Sequence, residues 1–396
     1  MSRHIVTCVL GAAIAFGAPS TLSPAKGARI DVTADALLAA VYDEIVRGHV
    51  DVALQNIEGL IRVKPNFRLA HLIKGDLLLA RARPISTIGA APNVPEASME
   101  GLRAEALARL RAYREPPPED RVPRYLLQLR QDQKYAIVVD THRSRLYLYE
   151  NDEGKPRFVA DYYVSSGKNG PLKLREGDEK TPIGVYHVTE SLPREKLSDF
   201  YGNGAFPINY PNEWDRIKGR NGHGIWLHGT PSNTYSRPPR SSNGCVVLAN
   251  SDLDVIARNL QVGLTPVIIS EDVEWLSTDD WTSERQSFAE QLERWRADWE
   301  SLDTERYLAH YSKKFSAPNQ DLESWSRHKR LVNSGKTWVK VKVGNLSIFR
   351  DPGKEDLLLV SFDQEYRSNN LSNTVKKVQY WLREDGYWHI VYEGTA

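Results

Sequence analysis

Apolar residues recur at helical spacing between residues 33 and 82. They fall at Leu37, Leu38, Val41, Ile45, Ala53, Ile57, Leu60, Ile61, Leu69, Leu72, Ile73 and Leu77. Positions three or four apart lie on one face of an α-helix, so the pattern predicts amphipathic helices. Gly48 separates the first two segments, and Pro65-Asn66 ends the second, since both are turn signals. A further helix is predicted from Glu96 to Arg114.

The positions of Gly48, Ala53 and Pro65 resemble those of the small residues and the closing proline of a tetratricopeptide (TPR) helix pair. This TPR-like pattern covers little more than one repeat. Two interpretations stay open for the helical region: a module for homodimerisation or for a protein partner, and a helical spacer. The run from Pro116 to Asp120 predicts a stiff linker. We therefore place the helical region and its linker at residues 29–133.

Beyond the linker the apolar pattern changes to period two, which is typical of half-buried strands. Strands are predicted at Tyr135–Asp140, Arg145–Glu150, Phe158–Val164, Val185–Val188, Gly224–Leu227 and Val267–Ile269. A long polar segment from Pro193 to Asn221 interrupts them. Because strands dominate, we expect a mainly-β domain at residues 134–272.

The last part of the chain, residues 278–396, is predicted to be a separate α+β unit. Its predicted helices are Glu284–Leu302, Thr304–Phe315 and Leu322–Val332, and its predicted strands are Trp338–Val343, Leu346–Arg350, Leu357–Tyr366, Val375–Arg383 and Tyr387–Tyr392. Helices followed by a curved antiparallel sheet make a cone. The order resembles the nuclear-transport-factor-2-like (NTF2-like) fold. The resemblance is carried by His310-Tyr311-Ser312, Trp325, Lys329, Gln379-Tyr380-Trp381 and Trp388-His389-Ile390.

The net charge bears on the kind of partner the protein binds, and the N-terminal sequence bears on its cellular compartment. The 396 residues carry a formal net charge of +1, which gives no electrostatic reason to expect a nucleic-acid partner. Arg3 and His4 precede an apolar run, Ile5–Phe16, which is followed by small residues. This order is typical of a secretory signal, and the run is shorter than the ~20 residues of a membrane span. We expect a signal peptide at residues 1–28 and export to the periplasm or cell envelope; a retained anchor stays open.

The chain has two cysteines, Cys8 and Cys245. Removal of the signal peptide would leave Cys245 alone, unable to form an internal disulfide. A single thiol in an exported protein is either reactive or a buried structural residue. The count alone leaves both interpretations open.

The sequence around Cys245 favours reactivity. A thiol is nucleophilic as the thiolate, and a nearby histidine is the usual base that removes its proton. His228 ends an apolar strand seventeen residues before Cys245, a separation that allows a loop and a return. Gly244 lets a substrate approach the backbone closely, and N–H groups near Cys245 can face a developing oxyanion. A zinc site built on Cys245, His223 and His228 would lack a fourth ligand at metal-type spacing, so we expect no metal.

The strand ending in His-Gly, the variable loop and the Ser-x-Gly-Cys segment resemble L,D-transpeptidases of the YkuD type. Thr181-Pro182-Ile183-Gly184 and the strands from Tyr135 onward also match that domain, and the resemblance covers about Lys134 to Ser270. It implies peptidoglycan stem peptides as substrate and no cofactor. Cys245 would attack the L-centre carbonyl of a tetrapeptide stem to form a thioester, with His228 taking and returning the proton. The Gly229 carbonyl would orient His228, with Ser242 a weaker candidate.

Further candidate residues for the oxyanion and the substrate are Gly244, Ser242, Asn243, His223 and Trp226. The sequence departs from the family's Ser-His-Gly-Cys-x-Arg pattern at Asn243 and Val247. The missing arginine removes a planar donor for a carboxylate. The combination of this domain with the C-terminal cone resembles the branch that sets helical cell shape, which includes L,D-carboxypeptidases. Transpeptidation, hydrolysis to a tripeptide, and a non-catalytic wall-binding scaffold therefore stay open.

Overall fold

The computed structural model describes residues 33–85, 87–89 and 96–395. The predicted signal peptide, residues 1–28, lies outside these residues. Within the described ranges, no helix combines the length and the apolar character needed to cross a membrane.

The N-terminal part of the chain is helical, as predicted. Its helices are α1 (Ala34–Val46), α2 (Val50–Val63), α3 (Arg68–Ala80) and α4 (Glu96–Arg114). The predicted apolar face forms one core, with Leu38, Val41, Ala53, Ile57, Leu60, Leu69, Ile73 and Leu77 buried. Gly48 separates α1 from α2 with a φ of +77°, a conformation that glycine adopts without strain. The TPR-like character of these helices stays a prediction.

The middle of the chain is the predicted mainly-β unit. Strands β1 (Arg121–Pro123) and β2 (Leu126–Gln128) precede this unit. Its own strands and helices are β3 (Tyr135–Asp140), β4 (Arg145–Asp152), β5 (Lys155–Gly167), β6 (Gly184–His187), β7 (Leu192–Pro193), β8 (Gly204–Pro207), α5 (Glu213–Ile217), β9 (Trp226–His228), β10 (Arg240–Ser242), β11 (Val246–Leu248), α6 (Asn250–Ala257) and β12 (Pro266–Ser270). The main sheet has the order β6-β12-β3-β4-β5-β11-β9-β8-β7, with β10 beside β5. Strands β9 and β11 are neighbours, which positions the candidate site.

The C-terminal part has the predicted α+β order. Its elements are β13 (Trp275–Ser277), α7 (Thr278–Glu300), α8 (Thr304–Leu308), β14 (Tyr311–Ala317), β15 (Gln320–Asp321), α9 (Leu322–Ser334), β16 (Val339–Arg350), β17 (Leu357–Ser368), β18 (Ser372–Glu384) and β19 (Tyr387–Thr395). The sheet order is β15-β14-β19-β18-β17-β16-β2. Helix α7 covers the sheet and buries Trp295 and Phe288 against Phe362 and Trp381. The predicted fold class is confirmed.

Two predicted elements of this part were wrong. The helix expected at Thr304–Phe315 ends at Leu308, because the chain from Tyr311 pairs in parallel with β19. The two strands expected at Trp338–Val343 and Leu346–Arg350 are one strand, β16. Its register shifts between Gly344 and Ser347, where Asn345 has a φ of +49°, so a bulge replaces the predicted break.

Strands β1 and β2 lie in the segment predicted as linker. Strand β1 pairs with β13, and β2 extends the C-terminal sheet by pairing with β16. The indole of Trp281 in α7 donates to the Leu126 carbonyl at 2.8 Å. The segment that leads into the mainly-β unit is therefore also part of the C-terminal sheet.

Candidate active site

Two neighbouring strands bring the cysteine and the histidine together. Strand β9 ends at His228, and β11 begins directly after Cys245. The strands are parallel, with Val246 opposite Leu227 and Val247 opposite His228. Residues two apart lie on the same face of a sheet. The register therefore brings Cys245 to the face that carries His228.

The imidazole of His228 is held by its own neighbour in sequence. Its Nδ1 lies 2.7 Å from the carbonyl oxygen of Gly229. A carbonyl oxygen only accepts, so Nδ1 carries the proton and Nε2 is left as an acceptor. Burial lowers the pKa of His228 to about 4, although the hydrogen bond to Gly229 opposes this shift. The ring is therefore neutral near pH 7 and can take a proton at Nε2.

The end of β9 is fixed by the side chain of Asn250 at the start of α6. Asn250 accepts from the Asn203 amide at 3.0 Å and donates to the Thr230 carbonyl at 2.8 Å. A Cβ at Gly229 would overlap the Asn250 side-chain oxygen. Glycine is therefore required at position 229, where its carbonyl faces the imidazole.

A tight turn presents Cys245. The Ser242 hydroxyl donates to the Cys245 carbonyl at 2.6 Å and accepts from the Gly244 amide at 3.1 Å. The buried Thr181 hydroxyl donates to the Gly244 carbonyl at 3.0 Å. Gly244 has a φ of +122°, and a Cβ there would lie 2.7 Å from the Lys180 carbonyl oxygen. Ser242 and Thr181 thus fix the turn, and only glycine fits at position 244.

The thiol of Cys245 is free and partly buried. Its Sγ donates to the Gly224 carbonyl at 3.4 Å. Burial raises the pKa of the thiol to about 11, while a hydrogen bond from the Trp226 backbone and the charges of Arg237 and Lys173 lower it. Cys245 and His228 are therefore both neutral at neutral pH in the free protein. Formation of the thiolate therefore requires a base that removes the proton from Cys245.

An aromatic wall surrounds His228. The Phe200 ring lies 5.8 Å and the Tyr201 ring 5.1 Å from the imidazole, and Tyr201 packs on Trp226 at 4.9 Å. Phe200 is 47% exposed, so part of the wall is open to solvent. Sequence analysis missed Phe200 and Tyr201, because they lie in the long polar segment before β8 and reach the site only through the fold.

The other predicted site residues lie at different depths. Trp226 is half-buried beside Tyr201, and Asn243 is exposed on the turn. His223 is 80% exposed and lies 3.3 Å from the Glu176 carboxylate. Val247 is buried opposite His228, so the position of the family's arginine is apolar. In the part of the chain that the structure describes, no three His, Cys, Asp or Glu side chains cluster as a metal site.

Comparison with known proteins places this geometry in a family. A model of the L,D-transpeptidase catalytic domain (YkuD) matches residues 134–269, and one of the Cds6 C-terminal NTF2-like domain matches residues 287–394. The structure of Bd1075 from Bdellovibrio bacteriovorus is 31% identical, with a TM-score of 0.63, over 70% of this chain and 98% of that one. The chain belongs to the YkuD-type L,D-transpeptidase family with a C-terminal NTF2-like domain. The resemblance seen in the sequence is thereby confirmed.

A second similar structure is the helical cell shape determining protein Pgp2 from Campylobacter jejuni. It is 25% identical, with a TM-score of 0.57, over 68% of this chain and 95% of that one. No curated protein matches the sequence significantly. The family that these comparisons define is one of peptidoglycan-modifying L,D-transpeptidases and L,D-carboxypeptidases.

Proposed function

We propose that this protein is a cysteine L,D-transpeptidase acting on tetrapeptide stems of peptidoglycan. Cys245 is the nucleophile, His228 is the proton acceptor and donor, and the Gly229 carbonyl orients the imidazole. One observation carries the proposal: Nδ1 of His228 is held at 2.7 Å by Gly229, which leaves Nε2 free on the face that Cys245 shares.

The neutral pair supports a general-base attack. The Cys245 proton passes to Nε2 of His228 as Sγ forms a bond to the L-centre carbonyl carbon. The C–N bond then breaks, and His228 returns the proton to the leaving amine of the terminal D-residue. A thioester remains on Cys245. A histidine whose pKa is about 4 releases the proton readily once it has received it.

Backbone amides of the turn are the candidates for stabilising the oxyanion. Ser242 fixes the turn and already accepts from the Gly244 amide, so the N–H of Cys245 is the candidate donor to the oxyanion. Trp226 and Asn243 border the opening and are candidates for contact with the stem. His223, exposed on the rim, is the weakest of these candidates.

Two acceptors can resolve the thioester. An amine of a second stem gives a cross-link, and water gives a tripeptide, which is the L,D-carboxypeptidase outcome. Hydrolysis is the second candidate, because the buried, apolar Val247 occupies the position where the family pattern has a polar arginine. The similarity to Pgp2 supports a role of either reaction in cell shape, after export to the envelope.

Incubation with tetrapeptide-stem muropeptides tests the proposal. We expect wild type to yield cross-linked dimer or tripeptide, and Cys245→Ala and His228→Ala to yield neither. His142→Ala is the matched control, because His142 is an exposed histidine of the same domain paired with Asp272. Equal products from wild type and Cys245→Ala would instead support the non-catalytic scaffold.

A further inference from the structure

Arg237 lies in the loop between the histidine and the cysteine, and its side chain reaches the aromatic wall. Its Cζ lies 4.6 Å from the centre of the Phe200 ring, which in turn lies 5.8 Å from the His228 ring. The loop is held from behind, since the Tyr163 hydroxyl donates to the Arg237 carbonyl at 2.9 Å. The guanidinium is thus presented beside His228 by a fixed backbone.

The guanidinium of Arg237 is partly buried but has no anionic partner. Within residues 33–85, 87–89 and 96–395, neither a hydrogen bond nor an ion pair reaches its nitrogen atoms. Desolvating a guanidinium without a counter-charge is costly, and burial lowers its pKa accordingly. Its charge lowers the pKa of both Cys245 and His228, so it acts at the site itself. A partly buried arginine without a counter-charge, close to the candidate nucleophile, is typical of a site that binds an anionic group of a ligand.

The proposed reaction fixes where a substrate anion lies. His228 returns its proton to the leaving nitrogen of the terminal D-residue, so that nitrogen lies beside the imidazole. The α-carboxylate of the same residue is only two bonds farther along. Arg237 packs on the Phe200 ring that adjoins this imidazole, which makes its guanidinium the candidate partner of the carboxylate.

Resting on the proposed function, we propose that Arg237 binds the terminal carboxylate of the stem peptide and selects stems with a free C-terminus. It supplies from the loop the planar donor that is absent at Val247. A guanidinium pairs with a carboxylate through two parallel hydrogen bonds, which gives both affinity and orientation. The cation–π contact with Phe200 does not use the N–H groups of the guanidinium as hydrogen-bond donors, so they remain available for the carboxylate.

Binding to the full-length Cys245→Ala protein tests this proposal without turnover. The probes are a synthetic tetrapeptide stem ending in D-alanine and the same stem with a terminal carboxamide. We expect the carboxylate stem to bind about tenfold or more tightly than the carboxamide, the range of a charge-assisted pair. Adding Arg237→Gln should weaken binding of the carboxylate stem by that factor and leave the affinity for the carboxamide stem unchanged. Arg237→Lys should keep part of the preference.

Arg240→Gln is the matched control, because Arg240 is an exposed arginine three residues farther on, at the start of β10. It should keep the full preference, and thermal unfolding should show both glutamine variants folded. Equal weakening of both stems by Arg237→Gln would overturn the proposal, and so would a preference that follows amidation of another carboxylate of the stem. Failure of the proposed function looks different: wild type then turns over neither stem, whatever Arg237 binds.

Discussion

The catalytic unit is attached to its two neighbours by opposite kinds of contact. Toward the N-terminal helices the contact is ionic and buried. Toward the C-terminal sheet it is aromatic and aliphatic. The ionic contact lies directly behind the loop between His228 and Cys245, so its integrity bears on the site as well as on the fold.

The ionic contact centres on the carboxylate of Asp35 in α1. It pairs with Arg109 of α4 and, at 2.8 Å, with Arg145 of β4. Arg109 also bonds Glu105 at 3.0 Å and lies 4.0 Å from the centre of the Tyr163 ring. Nearby charges lower the pKa of Asp35 to about 2 against the opposing effect of burial. Asp35 is therefore ionised at neutral pH, whereas burial raises the pKa of Glu105 against the opposing charge of Arg109.

This ionic contact reaches the loop of the candidate site. The Ser236 hydroxyl donates to the Glu105 carboxylate at 2.6 Å, one residue before Arg237. The Tyr235 amide donates to the Asn66 carbonyl at 3.2 Å, and the Tyr235 ring packs on Phe67 at 4.6 Å. The N-terminal helices thus hold the loop that carries Arg237, a role beyond that of a spacer between distant parts.

The aromatic contact lies between α5 and the C-terminal sheet. Trp214 stacks on Tyr380 of β18 with 5.8 Å between ring centres. Around this pair, Leu357, Leu382, Val391 and Tyr392 are buried. Apolar contacts tolerate small changes of position, whereas buried ion pairs fail when one partner is lost. The comparison therefore predicts different costs for the two contacts.

Arg109→Met should have the largest effect. It keeps the length of the side chain but leaves Glu105 buried without its cation, and losing one partner of a buried pair costs about 3–5 kcal/mol. We expect the free energy of unfolding in urea to fall by about that amount. Turnover of stem peptides should fall about tenfold or more at temperatures where the variant is folded, because the loop is displaced.

The control for this variant is Arg111→Met on the same helix. Arg111 is exposed, and we expect its replacement to change the free energy of unfolding by less than about 0.5 kcal/mol. Equal effects of the two substitutions would show that the ionic contact contributes nothing specific.

Trp214→Ala should have the next largest effect. It removes a buried ring and leaves a cavity, at a cost of about 3 kcal/mol in unfolding free energy. Because Trp214 does not contact the loop at residues 231–240, turnover should fall less than in Arg109→Met. Trp338→Ala, which removes a 46% exposed ring, serves as control and should cost much less. If Trp214→Ala lost as much turnover as Arg109→Met, the two contacts would not differ in their effect on the site.

Sequence periodicity predicted most of the fold, and the exceptions share a cause. Long segments with one clear period, such as α2 and β4, lie where they were expected. The errors fall where pairing with a strand distant in sequence determines the local structure. The chain at Tyr311 is extended because it pairs with β19, and the three-residue strand β2 forms by pairing with β16. Local pattern carries no signal for such partners.

The site divides in the same way. Cys245, His228 and Gly229 were predicted because they lie within a compact sequence motif. Phe200 and Arg237 were missed, since Phe200 packs near His228, and Arg237 on Phe200, only after folding.

The charge of Asp351 acts on Tyr380 in the aromatic contact. The pKa of Asp351 is raised to about 7, chiefly by burial and also by the negative charge of Asp215 in α5, while a hydrogen bond from the Gly353 amide and the charge of Arg220 oppose the shift. An unfolded aspartate titrates at about 3.9. The folded protein therefore binds this proton more tightly. Its stabilising effect is complete below about pH 4 and is lost as the pH rises through about 7.

Asp351→Asn should therefore have a smaller effect, with a sign that depends on pH. The amide keeps an acceptor for the Gly353 N–H and carries no charge. The free energy of unfolding of the variant should therefore be about 1 kcal/mol higher than that of wild type at about pH 8. The gain should shrink as the pH falls and vanish near about pH 4. Urea unfolding at several pH values measures this difference. For the control Asp385→Asn, in an exposed turn, the free energy of unfolding should depend on pH as it does in wild type. If the Asp351→Asn and wild-type curves are also parallel, the contact with the C-terminal sheet is apolar throughout, and only the N-terminal contact makes stability depend on buried charge.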